Sequence, residues 1–423
     1  MSRLTDRLRR LRDSGPRGAL WTLAVQGMVV GSQLVVDLGL ARLLGPALLG
    51  EVIFALSVSG LVSVLLLGGT GEVAIQLHAR RGAGAAWGLV RASLAVWAVG
   101  ALVCGALMAG IAWGFEVGAA GSWAMFGGWI ALLAQGVASV LNQPILAHGL
   151  SRREVRWVAG SRVLLVGAAL LAGWAGEPLW VLWAMAAAAL VLAFGRARVI
   201  SAHVGPAGER AVDREVLGEL WRRGRMIGLG ALFGTISNRA DMLALRGWAS
   251  VEAVGGYGAL YRLVSGAQLV HTALVLALYP ALVRGDGSVR RAWPLLGGAG
   301  VVGALGLAAL APLERVPALL FGPAWAGMGE IAALLCVAAG LQWGSAFGMR
   351  WLVAAGREAW LPGAQAVGAL LNLGLLAALV PTRGAWGAAA ATVCAEAALL
   401  GMVLWASAGS APVEVRDADA AAV

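Results

Sequence analysis

Apolar residues run in long, nearly unbroken stretches along this chain, separated by short polar breaks that are rich in arginine. The stretches are too long for strands and too evenly apolar for one-sided surface helices. A helix that crosses a bilayer needs about 20 predominantly apolar residues, and twelve segments satisfy this. They lie near 18–40, 50–76, 87–113, 121–147, 156–176, 179–200, 225–247, 253–283, 293–312, 328–355, 359–380 and 385–408. Pro144 should bend the fourth. The longest polar break, roughly 201–222, divides the spans six and six.

Composition agrees with this pattern. Of 423 residues, 60% are hydrophobic and 13% charged, with a mean hydropathy of +0.81. Soluble domains carry about a quarter charged residues, so lipid must solvate much of this surface. All 32 cations are arginines. With the N-terminus inside, 24 fall on cytoplasmic segments and adjoining helix ends, and only Arg42, Arg246, Arg315 and Arg383 fall outside. That imbalance fits the positive-inside rule at this span count. The net charge of +10 therefore reads as a topology signal facing anionic lipid, not as a nucleic-acid surface. The N-terminal stretch RLTDRLRRLRDSGPRG lacks the form of a cleavable signal. It is either a short amphipathic helix on the inner leaflet or a basic tail that fixes orientation. Both termini are expected in the cytoplasm.

The halves repeat. Asp241 follows Asp37 by 204 residues, and Arg246 follows Arg42 by the same 204. Six spans per half make the repeats parallel, related by an axis along the membrane normal. The expectation is an all-α integral membrane protein with about 12 transmembrane helices, in two six-helix lobes around a central cavity. The segments are 1–17 (amphipathic), 18–200 (N-lobe), 201–224 (linker), 225–408 (C-lobe) and 409–423 (tail).

Polar stripes mark the cavity. Thr22, Gln26, Gln33 and Asp37 share one face of the first span, and Tyr257, Tyr261, Ser265, Gln268 and Thr272 share one face of the eighth, with Arg262 beside them. On the seventh, Thr235, Arg239 and Arg246 form one stripe, and Asn238 and Asp241 its neighbour. Small polar residues often only bond helix to helix, but three such stripes together favour a hydrated cavity. An arginine at mid-bilayer costs about 2.5–3.5 kcal/mol on insertion scales and must face protein or water. Arg239 and Arg262 are the candidates, with Gln26, Gln33, Asn238, Tyr261 and Gln268 as polar lining. Asp37 and Arg42 point about 140° apart on one helix, so partners across the lobe interface are expected. Asp37, Arg42, Asp241 and Arg246 are the gate or coupling residues. A cavity rich in guanidinium suits phosphate oxygens, which it matches bidentately.

No nucleophile with an acid–base partner, phosphate-binding glycine loop or metal-ligand cluster stands out. The three cysteines fall inside apolar segments and suit core packing. The chain is read as a non-enzyme with no metal and no cofactor. The coupling ion, H+ or Na+, stays open.

The stretches LARLLGPALLGEVIFAL, GGYGALYRLVSGAQLV, LYPALVR, LLFGPAWAGMGEIAALL and GAWGAAAATVCAEAALL resemble the polysaccharide biosynthesis flippases. These are the Wzx-type branch of the multidrug/oligosaccharidyl-lipid/polysaccharide exporter superfamily. Leu49 departs from the pattern, where an aromatic is common. The resemblance implies a MATE-like fold in the bacterial cytoplasmic membrane. It also implies movement of a polyprenyl-pyrophosphate-linked oligosaccharide from inner to outer leaflet by alternating access. Glycosyltransferases and a polysaccharide polymerase would be partners. The alternative is a MATE-like drug or cation antiporter, which would need an acidic cavity. A peptidoglycan-precursor flippase typically carries two further helices that this length cannot hold.

Overall fold

A computed structural model describes residues 16–67, 70–81, 85–114, 119–148, 150–204, 214–266, 282, 287–310, 315–355, 357 and 360–408. These residues are nearly all helical, as lipid demands: in hydrocarbon every backbone N–H and C=O must be satisfied within its own segment. In chain order the helices are α1 (Pro16–Leu67), α2 (Thr70–Arg81), α3 (Ala86–Gly114), α4 (Ala119–Ala147), α5 (Ser151–Trp174) and α6 (Pro178–Val204). They continue with α7 (Arg214–Trp248), α8 (Val251–Gly266), α9 (Gly287–Leu310), α10 (Arg315–Phe321), α11 (Gly329–Ala354) and α12 (Trp360–Ala408).

Two helices are each two spans. α1 breaks at Gly45, whose φ of 70° places it in the left-handed region, and the next residue is Pro46. α12 breaks at Gly384, with φ 54°, three residues after Pro381. Glycine alone enters that region without a Cβ penalty, and proline donates no N–H to the preceding turn. A loop was expected at each point; a single glycine makes the bend instead. Among the described residues eight helices are long and apolar enough to cross a membrane. Two of them are bent into two spans each, giving ten; the expected seventh and eighth spans fall on α7, which is less apolar, and on α8, described only to Gly266.

Helices α1 to α6 pack on one another, chiefly α4 and α5 on α6 and α1 on α5. In the second lobe α12 packs on α7 and α11, and α11 on α9. The exposed Val99, Leu102, Val163, Leu171, Trp174, Leu295 and Leu370 form an apolar outer surface, which water would not tolerate at this extent.

The lobes meet at both ends. At the arginine-poor end α1 packs on α8 so closely that a Cβ on Gly255 would lie 1.9 Å from the Pro46 carbonyl oxygen. One on Gly50 would lie 2.0 Å from that of Val251. Ser250 opens α8, its Oγ accepting from the Ala253 N–H at 3.2 Å. Beside this contact the connection expected near 313–327, described from Arg315 on, forms α10 and a tight turn, Pro323–Trp325, and buries Phe321 and Trp325. At the arginine-rich end Arg81 of α2 meets Glu219 of α7 at 3.4 Å. The segment expected as a linker at 201–224 is thus helical at 201–204 and 214–224. Val216 and Leu220, one turn apart, are buried against α2 and α3, and that one-sided apolar pattern is what makes this stretch a helix.

Gly255→Val should pry the lobes apart at the arginine-poor end, at a cost of about 1–3 kcal/mol. Thermal unfolding in detergent should show a clear drop, absent from Gly303→Val, whose Cβ position is open.

Candidate transport cavity

A cavity of about 370 Å³ lies between the lobes. From the first lobe it takes Gln33 and Asp37, one helical turn apart in α1; Ser59, Gly60 and Ser63 beyond the bend; and Gly128 and Gln135 on α4. From the second lobe it takes Arg239 on α7 and Tyr261 and Arg262 on α8. The two serines satisfy their own hydroxyl protons, Ser59 at the Ala55 carbonyl and Ser63 at that of Gly60, each at 2.7 Å. Gly60 lies against Arg239: a Cβ there would just touch its Nε, at 3.4 Å.

Arg262 Nη1 donates to Asp37 Oδ1, an ion pair that spans the lobe interface. Gln33 Nε2 donates to the same oxygen at 3.1 Å. Arg239 forms no ion pair among the described residues. The described cavity lining thus carries two guanidiniums against one carboxylate.

The other charges of the sequence repeat find different partners. Arg42 donates from Nε to the Leu320 carbonyl at 2.6 Å and from Nη2 to that of Leu319 at 2.9 Å. These belong to the last turn of α10, where carbonyls lack helical partners and a cation is favoured. Arg246 reaches Glu51 of the first lobe at 3.7 Å and lies over the Phe54 ring. Three of the four gate candidates therefore touch the opposite lobe. Asp241 does not. It is buried within the second lobe, where the Met242 N–H donates to its Oδ1 at 2.8 Å and the Tyr257 hydroxyl bonds it as well.

Of the expected lining, Gln33, Tyr261, Arg239 and Arg262 come together. Gln26, two turns before Gln33, is exposed and outside the lining. Asn238 faces the interior of its own lobe and accepts from Gln342 Nε2 at 3.2 Å; one residue of helical rotation turns it away from the cavity that Arg239 enters. Gln268 lies outside the described residues.

That interior holds a second chamber, of about 220 Å³, between α7, α11 and α12. Ser237, Asn238, Gln342, Ser345, Gln365 and Glu396 supply its polar wall. Asp241, Thr392 and Glu396 border a smaller gap beside it. Asn372 Nδ2 ties the wall together through the Ser237 carbonyl at 2.9 Å, and the Tyr257 and Thr392 hydroxyls lie 3.2 Å apart. Glu396 keeps one carboxylate oxygen, Oε2, buried without a hydrogen-bond partner among the described residues. Sequence reasoning missed Glu396, although it is the one acid between 385 and 408. It also missed Glu51, the partner of Arg246. Among the described residues no group of three metal-ligating side chains is placed to hold an ion. His78, His148 and His203 gather outside the cavity, with neighbouring rings 6.2 and 6.3 Å apart. Burial, aided by His148, lowers His78 to about 4, so its imidazole is neutral near pH 7. His271 lies outside the described residues.

The fold has solved counterparts. A structure described as lipid II flippase MurJ in an inward closed conformation aligns with a TM-score of 0.69 at 11% identity, over 92% of this chain and 87% of that one. An inward-facing multidrug resistance MATE family transporter of the MOP superfamily aligns with a TM-score of 0.66 at 14% identity, over 92% and 97%. An outward-facing MATE structure aligns with a TM-score of 0.60 at 14% identity, over 94% and 97%. No protein-family model matches the chain, and no curated protein matches it by sequence. The chain has the two-lobed fold of MOP-superfamily transporters and flippases.

The Asp37–Arg262 pair is open to a double-mutant cycle. Asp37→Asn and Arg262→Gln should each lower thermal stability in detergent, and the double variant should lose less than the sum. A coupling of about 1 kcal/mol or more is expected for a half-buried charged pair.

Proposed function

We propose that this protein flips a lipid-linked oligosaccharide, carried on polyprenyl pyrophosphate, from the inner to the outer leaflet of a bacterial cytoplasmic membrane. The observation that carries this reading is the sign of the interlobe cavity: Arg239 and Arg262 from adjacent helices of one lobe stand against Asp37 alone. A pyrophosphate offers oxygens in the planar arrangement that guanidinium forks match. Gln33, Gln135 and Tyr261 would hydrogen-bond sugar hydroxyls, while the prenyl tail stays in lipid. The arginine-rich end is taken as cytoplasmic, by the positive-inside rule. Alternating access then requires the contacts of Asp37, Arg42 and Arg246 at the opposite end to part as the lobes rock. The fold shared with a lipid II flippase supports a lipid-linked substrate. Glycosyltransferases that build the sugar and a polymerase that consumes it would be its partners.

A second reading has its own support. The MATE counterparts are described as multidrug resistance transporters, and the small gap beside the second-lobe chamber brings two buried acids, Asp241 and Glu396, together. In a drug or cation antiporter these acids would exchange cargo for H+ or Na+. In the flippase they would couple lobe motion to the same ions without touching the sugar.

Leaflet-resolved detection of the lipid-linked sugar in complemented deletion cells separates the readings. Arg239→Ala and Arg262→Ala should each cut flipping about tenfold or more, the worth of a charge-assisted hydrogen bond or two. Arg→Lys at either position should restore part of it. Full flipping in both alanine variants at normal expression, or efflux of an organic cation by purified protein in vesicles with no sugar flipped, would overturn the flippase reading.

A further inference from the structure

Where α1, α5 and α6 meet at the arginine-rich end, arginines lie over aromatic rings three times. Arg156 stands 5.8 Å over the Trp157 ring, Arg198 5.8 Å over Phe194, and Arg152 5.8 Å over Trp21. The two central rings touch edge to face, with centroids 5.6 Å apart at 81°. Trp157 lies flat on the backbone of α6 because Gly195 is there; a Cβ would stand 2.2 Å from its Cγ. Phe194 is 57% exposed on the lipid-facing surface. The order Arg156, Trp157, Phe194, Arg198 thus makes an aromatic ledge with a guanidinium at each side.

Its own helices bring it few carboxylates. α5 and α6 and the turn between them carry only Glu154 and Glu177. Glu154 is buried and accepts from Arg196 Nε at 2.7 Å, and Arg196 also donates to the Ala138 carbonyl. Glu177 lies in the turn at the far end of both helices. Arg152, Arg156 and Arg198 are exposed and form no ion pair among the described residues. Each guanidinium carbon lies within cation–π range of its ring.

We propose that this ledge is a binding site for the headgroup of an anionic membrane phospholipid, distinct from the interlobe cavity. The phosphodiester takes the guanidinium forks of Arg156 and Arg198, and Arg152 adds to the field. The glycerol and first acyl carbons lie on Phe194 and Trp157. Aromatic rings and arginines share this depth because both suit the border between hydrocarbon and water. A zwitterionic lipid, whose own cation would meet the arginines, binds more weakly. The inference rests on the two helix ends alone and does not depend on the cargo of the cavity.

Native mass spectrometry of the full-length protein in detergent, titrated with phosphatidylglycerol or phosphatidylcholine, tests it. The wild type should retain phosphatidylglycerol in preference to phosphatidylcholine. The double variant Arg156→Gln/Arg198→Gln should weaken phosphatidylglycerol binding about thirtyfold, each surface arginine being worth about 1 kcal/mol toward anionic lipid. Arg222→Gln/Arg291→Gln removes the same charge from exposed arginines elsewhere on that end and should change little. Phe194→Leu, which keeps every charge, should weaken binding by a smaller factor. Equal losses in the two double variants would reduce the ledge to a generic basic rim and overturn the proposal, as would a wild type without lipid preference.

Discussion

A charged side chain inside hydrocarbon has to be paired, hydrated or moved to the surface. In this protein the pairing of Arg262 with Asp37 meets that demand across the lobe interface, so one contact holds two rigid bodies and lines the space between them. Gln33 fixes the carboxylate from its own helix, leaving the arginine as the partner that can leave. Any movement that separates the lobes there exposes two charges at once. It proceeds only if water or another anion takes up the guanidinium as Asp37 releases it. The two neighbouring contacts, Arg42 on the carbonyls of α10 and Arg246 on Glu51, carry the same condition toward the arginine-poor end. The close backbone approach at Gly50 and Gly255 brings the helices near enough for all three.

The repeat in the sequence hides an asymmetry in space. Asp37 and Asp241 stand at equivalent positions of the two halves, yet one faces the interface and the other the core of its lobe. The difference lies in what surrounds them. Tyr257 and the Met242 N–H take up Asp241 inside the second lobe, and a chamber with Glu396, Asn238 and Gln342 opens beside it. Around Asp37 the first lobe supplies Gln33, serines and glycines, and the carboxylate turns outward to find a cation. Positions 204 residues apart thus hold an interlobe ion pair in one lobe and a buried acid in the other.

The helices were legible because hydrocarbon leaves the chain little choice: twenty apolar residues bounded by arginine must cross, and each crossing fixes the next. The convergence of Arg239, Arg262, Gln33 and Tyr261 was legible for a related reason, since charge and polar stripes in a span must face something wet. Neighbours were not. Periodicity places Asn238 one residue from Arg239 but does not say that this rotation carries it into another cavity. Nothing local announces that Arg42 would find the orphan carbonyls of α10, because that short helix owes its form to the burial of Phe321 and Trp325. The bends at Gly45 and Gly384 sat in plain view beside Pro46 and Pro381, and were read as loops only because a loop is the commoner way to reverse a chain. Glu396 was the largest omission. A lone acid in an apolar span signals function on its own, without a stripe to support it.

The choice of arginine over lysine ties these observations together. Every cation in the chain is a guanidinium, which keeps its proton at any working pH even when drawn into a low-dielectric site, where an amine gives its proton up. The two guanidiniums of the interlobe cavity therefore keep their charge across a proton gradient. If transport is driven by protons, the titrating group must be a carboxylate. Asp37 is committed to Arg262, so its protonation would act directly on that ion pair. Asp241 and Glu396 lie behind Tyr261, which borders both the cavity and the acidic gap, and Asp241 also acts electrostatically on Arg239 in the cavity lining. The part of the cavity lining that cannot change sign is therefore cationic, and the flippase proposal rests on that part.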